Sequence, residues 1–229
     1  MGTAFLQFDG RRTLRRTFAL GVLASLAGLP GCFVGEIAGG MIESHRRTST
    51  KTVEPEYRGL SGKSFAVVVS ADRLIQSDHP EVVARMTVEL AERLKDPAGA
   101  TGYVPGQTVL AWQYSNPRWV TMSHAEIAKA LGVQRLVVLE VIEYRLNDPG
   151  NQYVWQGVAA GTLGVVEADT DFSDEFAFTK SLRVKFPDKD GFGPSELPRA
   201  AVNTELTRRL MDRASWLFYE HEEKYYPDY

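Results

Sequence analysis

The order of apolar patterns along this chain predicts an α+β fold. It is a mixed sheet of about five strands, with elements in the order β-α-β-α-β-β-β-α and helices packed against the sheet. Three observations carry that prediction. Residues 65–69 (Phe-Ala-Val-Val-Val) and 136–141 (Leu-Val-Val-Leu-Glu-Val) are short β-branched runs of the kind that fill a buried strand. Helical periodicity follows the first run and precedes the second. Beyond residue 147, turn signals separate two further strands, which suits an antiparallel meander.

Taken in order, strand 65–69 leads to Asp78-His79-Pro80-Glu81. This reads as a capping-box-like helix start, with Pro80 in the first turn where its missing N–H is no loss. Val83, Met86, Leu90 and Leu94 then recur at helical spacing to about Lys95. Residues 96–107 hold Pro97, Gly99, Gly102, Pro105 and Gly106 and read as a loop, and 108–114 read as a second strand. Ser123 and Glu126 have capping-box spacing and open a short helix through Ile127 and Leu131, which Gly132 ends as a C′ glycine. Strand 136–141 follows, then the turn Asn147-Asp148-Pro149-Gly150-Asn151. Strands are expected near 154–168 and 176–186, separated by the acidic loop 169–174. Gly157, Gly161 and Gly164 predict bulges or close backbone approach in the first of them. A last helix spans about 198–221, with Val202, Leu206, Leu210, Ala214 and Leu217 on one face.

The chain has 229 residues, 44% apolar and 24% charged, which suits one globular domain plus appendages. Its formal charge is −3. Removing residues 1–31 takes Lys+Arg from 26 to 22 and Asp+Glu from 29 to 28, leaving −6. So acidic a domain is a poor ligand for nucleic acid, which demands clustered cations to replace phosphate counterions. The single cysteine, Cys32, excludes an internal disulfide framework and a multi-cysteine zinc site.

Residues 11–32 read Arg-Arg-Thr-Leu-Arg-Arg-Thr-Phe-Ala-Leu-Gly-Val-Leu-Ala-Ser-Leu-Ala-Gly-Leu-Pro-Gly-Cys. Four arginines, an apolar run from Phe18 to Leu29 and small residues beyond it have the layout of a secretory signal. Leu29-Pro30-Gly31-Cys32 resembles the lipobox of bacterial lipoproteins, in which the cysteine becomes the acylated N-terminus; Pro30 stands where a small residue is usual. The resemblance implies cleavage after Gly31 and lipid attachment at Cys32. Arg15-Arg16-Thr17-Phe18-Ala19-Leu20 also resembles the twin-arginine export motif, which makes Arg15 and Arg16 candidate export-signal residues. Phe33, rather than an aspartate, follows Cys32, and in this resemblance that favours the outer over the inner membrane. The expected organisation is therefore a signal peptide (1–31), a lipidated cysteine with a glycine-, serine- and threonine-rich tether (32–63), and one domain (64–229).

Within the domain, helix 125–131, Gly132-Val133-Gln134-Arg135 and strand 136–141 look like a step found in envelope lipoproteins of the CsgG and LpoB group and in the amino-terminal domain of TolB. That resemblance implies a fold and a role in assembly, pores or activation, and transfers no catalytic residue.

The residues themselves carry no recognisable chemistry. The four histidines (His45, His79, His124, His221) lack zinc spacing, and the last three are explained by helix ends. No nucleophile elbow occurs. Gly62-Lys63-Ser64 lacks the upstream glycine of a phosphate loop, because Tyr57 stands there. Asp169, Asp171, Asp174 and Glu175 lack calcium-loop spacing. No catalytic residue, metal or cofactor is predicted. Trp112, Tyr114, Trp119, Tyr225, Tyr226 and Tyr229 form the candidate interaction surface, since Trp and Tyr bury large areas at small entropic cost. The expected role is a non-enzymatic, membrane-anchored envelope lipoprotein that binds or helps assemble another envelope protein. A lipid-anchored hydrolase or ligand-binding protein with a scattered site, and a homo-oligomeric pore or ring subunit, are the alternatives.

Overall fold

The computed structural model describes residues 50–224. Its strands are β1 (Thr50–Val53), β2 (Ser64–Ala71), β3 (Gly102–Tyr103), β4 (Arg135–Arg145), β5 (Gly157–Glu167), β6 (Phe176–Phe186) and β7 (His221–Lys224). Its α-helices are α1 (Arg73–Asp78), α2 (Val82–Leu94), α3 (Gly106–Ser115), α4 (His124–Leu131) and α5 (Arg199–Ser215), and a 3-10 turn occupies Pro117–Thr121. The main sheet has five strands in the order β3-β2-β4-β5-β6, with β2 parallel to β3 and β4 and the β4–β5–β6 meander antiparallel. The fold is thus the α+β mixed sheet that the patterns predict. A separate two-stranded sheet pairs β1 with β7.

Helices cover both faces of the sheet. On one, α2 contributes Val82, Met86, Leu90 and Leu94 and α5 contributes Val202, Leu206, Leu210 and Ala214 to a core with Phe65, Val67, Val137, Leu139 and Leu163. On the other, Val109 of α3 and Ile127 and Ala128 of α4 close over Ala66, Val68, Leu136 and Val166. This second cover stops short of β6, where Ala177, Thr179, Ser181, Arg183 and Lys185 are exposed. Burial on both faces explains why β2 and β4 read as continuous apolar runs rather than alternating ones.

The second strand expected at 108–114 is instead the helix α3. Val109 and Gln113, one helical turn apart, are its buried residues together with Gly106, so tertiary packing overrides the local β preference. A side-chain carbon on Gly106 would meet the Cα of Val88 at 2.5 Å and the carbonyl of Thr87 at 2.8 Å, so only glycine lets α3 cross α2 this closely. The fifth strand is the two-residue β3, inside what reads as a loop.

Asp78-His79-Pro80-Glu81 is a junction between two helices, not a capping box. Asp72 caps α1 by accepting from the backbone N–H of Ile75 (2.8 Å), His79 follows its last residue, and Glu81 precedes α2 with no side-chain cap. The Ser123 box is present in full: Ser123 Oγ accepts from Glu126 N (3.3 Å), and Glu126 accepts from Ser123 N (2.8 Å). Gly132 ends α4 at φ 69°, the left-handed conformation that glycine adopts without strain. Register shifts in the meander fall at Val141/Glu143 and Val165/Val166, beside rather than at the glycines of β5. At Gly161 the reading of close approach holds, since a side chain there would meet the Glu140 carbonyl at 2.4 Å.

The last helix stops at Ser215, and His221 belongs to β7. Its ring stacks on Trp216 with centroids 4.5 Å apart, so the helix-end explanation for His221 does not apply. The described residues 50–63, expected in the tether, carry β1 and contacts to the core. Leu60 is 1% exposed in the first core, and Tyr57 donates to Glu167 of β5 (2.7 Å). The guanidinium of Arg135 bonds the Gly59 carbonyl (3.0 Å) and pairs with Asp169, which also holds Lys63 (2.7 Å). Glycine-rich composition reads as a tether because these anchors are single residues with long-range partners.

Candidate functional site

Two surface regions stand out, one apolar and one polar. The apolar one is a ridge formed by α3 and the 3-10 turn. Asn116-Pro117 joins them: Asn116 donates to the Trp112 carbonyl through both its backbone N–H (2.9 Å) and its side-chain amide (2.8 Å), and its carbonyl accepts from Trp119 N (2.9 Å). The fold thereby packs Trp112 and Trp119 against the second core as half-buried side chains. Tyr114 (90% exposed) and Val120 (68%) project into solvent. Three of the candidate interaction residues therefore lie on this one stretch, the two tryptophans packed on the core and Tyr114 exposed. Tyr225, Tyr226 and Tyr229, like Cys32, Arg15 and Arg16, lie outside the described residues.

The polar region is a cavity of about 320 Å³ where α1, β4 and α5 meet, lined by Asp78, His79, Tyr144, Arg145, Leu146, Asn147 and Arg199. Each segment arrives by an ordinary structural route: the end of α1, the end of β4 and the first residue of α5. Tyr144 forms the floor. Its hydroxyl donates to Asn203 Oδ1 (2.5 Å) and lies 2.8 Å from Thr207 Oγ1, and Asn203 Nδ2 donates to Glu81 Oε1 (3.0 Å). Burial pushes the Tyr144 phenol up to about 12, so it stays protonated. Glu81 is held below the usual carboxylate range, first by a backbone N–H and then by the Asn203 amide. His79 packs edge-on against Tyr144 with ring centroids 4.9 Å apart and is only 6% exposed. Burial, reinforced by the nearby Arg199 charge, lowers the pKa of His79 and favours its neutral form.

The two arginines of the cavity differ. Arg145 is engaged: Nε donates to Glu143 (2.8 Å), Nη1 donates to the Asn147 carbonyl (3.0 Å), and the guanidinium also pairs with Asp148. Arg199 makes no hydrogen bond or ion pair among the described residues and is exposed. Nothing in the sequence marks this site, because its residues come from three distant segments and none stands in a motif. The only local cue is His79, which the sequence ascribes to a helix start.

Two carboxylates of the acidic loop tie it to the domain. Asp169 holds Arg135 and Lys63, and Asp174 Oδ1 accepts from the Ala125 backbone N–H at the start of α4 (2.9 Å). Among the described residues no group of three or more His, Cys, Asp or Glu side chains converges as a metal site. No described helix is long and apolar enough to cross a membrane.

No family model matches the chain, and no curated protein matches it in sequence. Solved structures similar to it include the PelC dodecamer from Paraburkholderia phytofirmans, at 12% identity and TM-score 0.41, covering 76% of this chain and 99% of that one. They also include lipoprotein GNA1162 from Neisseria meningitidis, at 12% identity and TM-score 0.43, covering 66% and 97%. The LpoB C-terminal domain from Salmonella enterica aligns at 12% identity and TM-score 0.28, covering 54% and 83%. At these scores the likeness reaches neither sequence nor function.

Proposed function

We propose that this chain is an exported lipoprotein of the bacterial cell envelope, anchored through acyl groups on Cys32, whose domain acts non-enzymatically by binding another envelope component. The observation that carries the reading is residues 11–32: four arginines, an apolar run and a small-residue approach to the only cysteine. Several acyl chains on one cysteine give a stable anchor, at about 0.8 kcal/mol per buried methylene. Between Cys32 and the first described strand at Thr50 lie 17 residues, which extend to at most about 60 Å. Export through the twin-arginine route by Arg15 and Arg16, and residence in the outer membrane, belong to the same proposal. The aromatic ridge is the docking surface, with Tyr114 and Val120 as contacts and Trp112 and Trp119 as their support.

Growth of the native host with alkyne-palmitate tests the anchor. Label is expected in the natural chain and absent from Cys32→Ser, and equal label in both overturns the anchor. Crosslinking in native membranes tests the ridge. A Tyr114→Ala/Val120→Asp chain of unchanged stability should lose the captured envelope protein, and unchanged capture removes the ridge from the proposal. The native mass of the detergent-extracted protein separates a monomer from a ring.

The polar cavity favours one alternative, that the domain also holds a small ligand.

A further inference from the structure

Two side chains without a hydrogen-bond partner among the described residues, His79 and Arg199, meet in one cavity. His79 is 6% exposed, lines the cavity, and makes no side-chain hydrogen bond among the described residues. Neither ring nitrogen is sealed from solvent, so the ring presents an uncommitted donor and acceptor to whatever occupies the cavity. Arg199 is the first residue of α5, a helix whose N-cap is Pro198 with no side-chain cap and whose first turn holds no acidic residue. A cation there opposes the helix dipole, whose positive end favours anions. His79 contributes its packing against Tyr144, but the polar atoms of both side chains are uncommitted.

We propose that this cavity binds a carboxylate, held by the Arg199 guanidinium and a ring N–H of His79. A neutral imidazole keeps one N–H to donate, and a guanidinium fork matches the planar carboxylate. The chemistry is limited to a singly charged group. Arg145 is already committed to Glu143 and Asp148, and Asp78 in the lining repels a second negative charge. A phosphate dianion therefore fits less well than a carboxylate. The carboxylate could belong to a small metabolite or to the end of a polypeptide, since the recognising groups are the same for both.

Binding is coupled to pH through His79. The groups facing it are Asp78 and Glu81 from its own segment, Tyr144 from β4 and Arg199 from α5. The carboxylate adds a negative charge to that set, so the ligand raises the histidine's pKa and binds more tightly as pH falls through the ordinary histidine range. The site stands apart from the aromatic ridge and does not depend on the lipid anchor.

The test is a titration of the full chain in detergent, with histidine selectively labelled and its ring signals followed by NMR at constant ionic strength. The probes are sodium acetate, a tripeptide with a free C-terminus, the same tripeptide amidated, and inorganic phosphate. Acetate or the free tripeptide should shift the His79 signal saturably, while the amidated peptide should not. Acetate binding as tightly as the tripeptide identifies a small-molecule site, and a tighter tripeptide identifies a chain-end site. The variant Arg199→Gln should weaken binding about tenfold or more, as expected for a lost charge-assisted contact. It should also raise the melting temperature slightly, where a structural arginine would lower it. A His79 signal indifferent to every probe, tighter binding of phosphate than of acetate, or affinity unchanged in Arg199→Gln overturns the proposal.

Discussion

The aromatic ridge and the polar cavity lie at opposite extremes of how a protein surface is built. The ridge comes from one stretch of chain, Trp112 to Val120, and its tryptophans contribute to the core beneath while Tyr114 reaches outward. The cavity comes from three segments more than 50 residues apart, and the polar atoms of two of its side chains, His79 and Arg199, are committed to nothing else in the described fold. Stabilising and recognising residues are distinguished by what each side chain would lose on truncation. A ridge tryptophan loses packing. A cavity arginine loses nothing that the isolated chain uses.

The largest effect that would test this contrast is Trp112→Ala. It should cost about 3 kcal/mol, the lower end for a large aromatic because the ring is only half-buried. Denaturant unfolding measures it, and a loss below the noise would place Trp112 on the recognising side. Next, Tyr144→Phe should cost about 2 kcal/mol, since Asn203 and Thr207 lose the hydroxyl that satisfies them. A neutral result would mean that the cavity floor is not a cooperative network.

The third test is stability against pH. His79 is depressed below its ordinary value, so the unfolded chain binds its proton first as pH falls. Its contribution is fully present above about pH 6.5, the unfolded value, and is lost as pH drops through the lower folded value. Melting temperatures of the natural chain should therefore fall between pH 7 and 5 more steeply than those of His79→Gln. Parallel curves would remove the buried histidine from the account. The smallest effects are at the surface. Arg199→Gln should gain about 0.3–1 kcal/mol by removing a cation from a helix N-terminus. Tyr114→Ala should stay within about 0.5 kcal/mol, as befits a residue 90% exposed.

Much of the architecture follows from local pattern. The β4 and β6 runs, the Ser123 capping box and the Gly132 stop each depend on residues within a few positions of one another, and each is found where the pattern places it. Residues 106–115 break the rule. Their β-like composition yields to a helix because Val109 fills the second core and Gly106 admits close contact with α2. The helix junction at His79 is the other departure. Asp78 and Glu81 have the spacing of a cap, but Asn203 of α5 draws Glu81 away and Asp72 caps the preceding helix instead.

Contiguous residues alone suffice for the α+β class and the long strands of the sheet, and they carry the proposed export-and-anchor segment ending at Cys32. Tertiary contacts alone decided that residues 50–63 carry a strand and a core anchor, that 106–115 is helical, and that His79 and Arg199 share a cavity. The physical reason is one of range. Periodicity and capping act within a turn or two of chain, whereas Leu60, Gly106, His79 and Arg199 take their meaning from atoms that only the folded chain brings near.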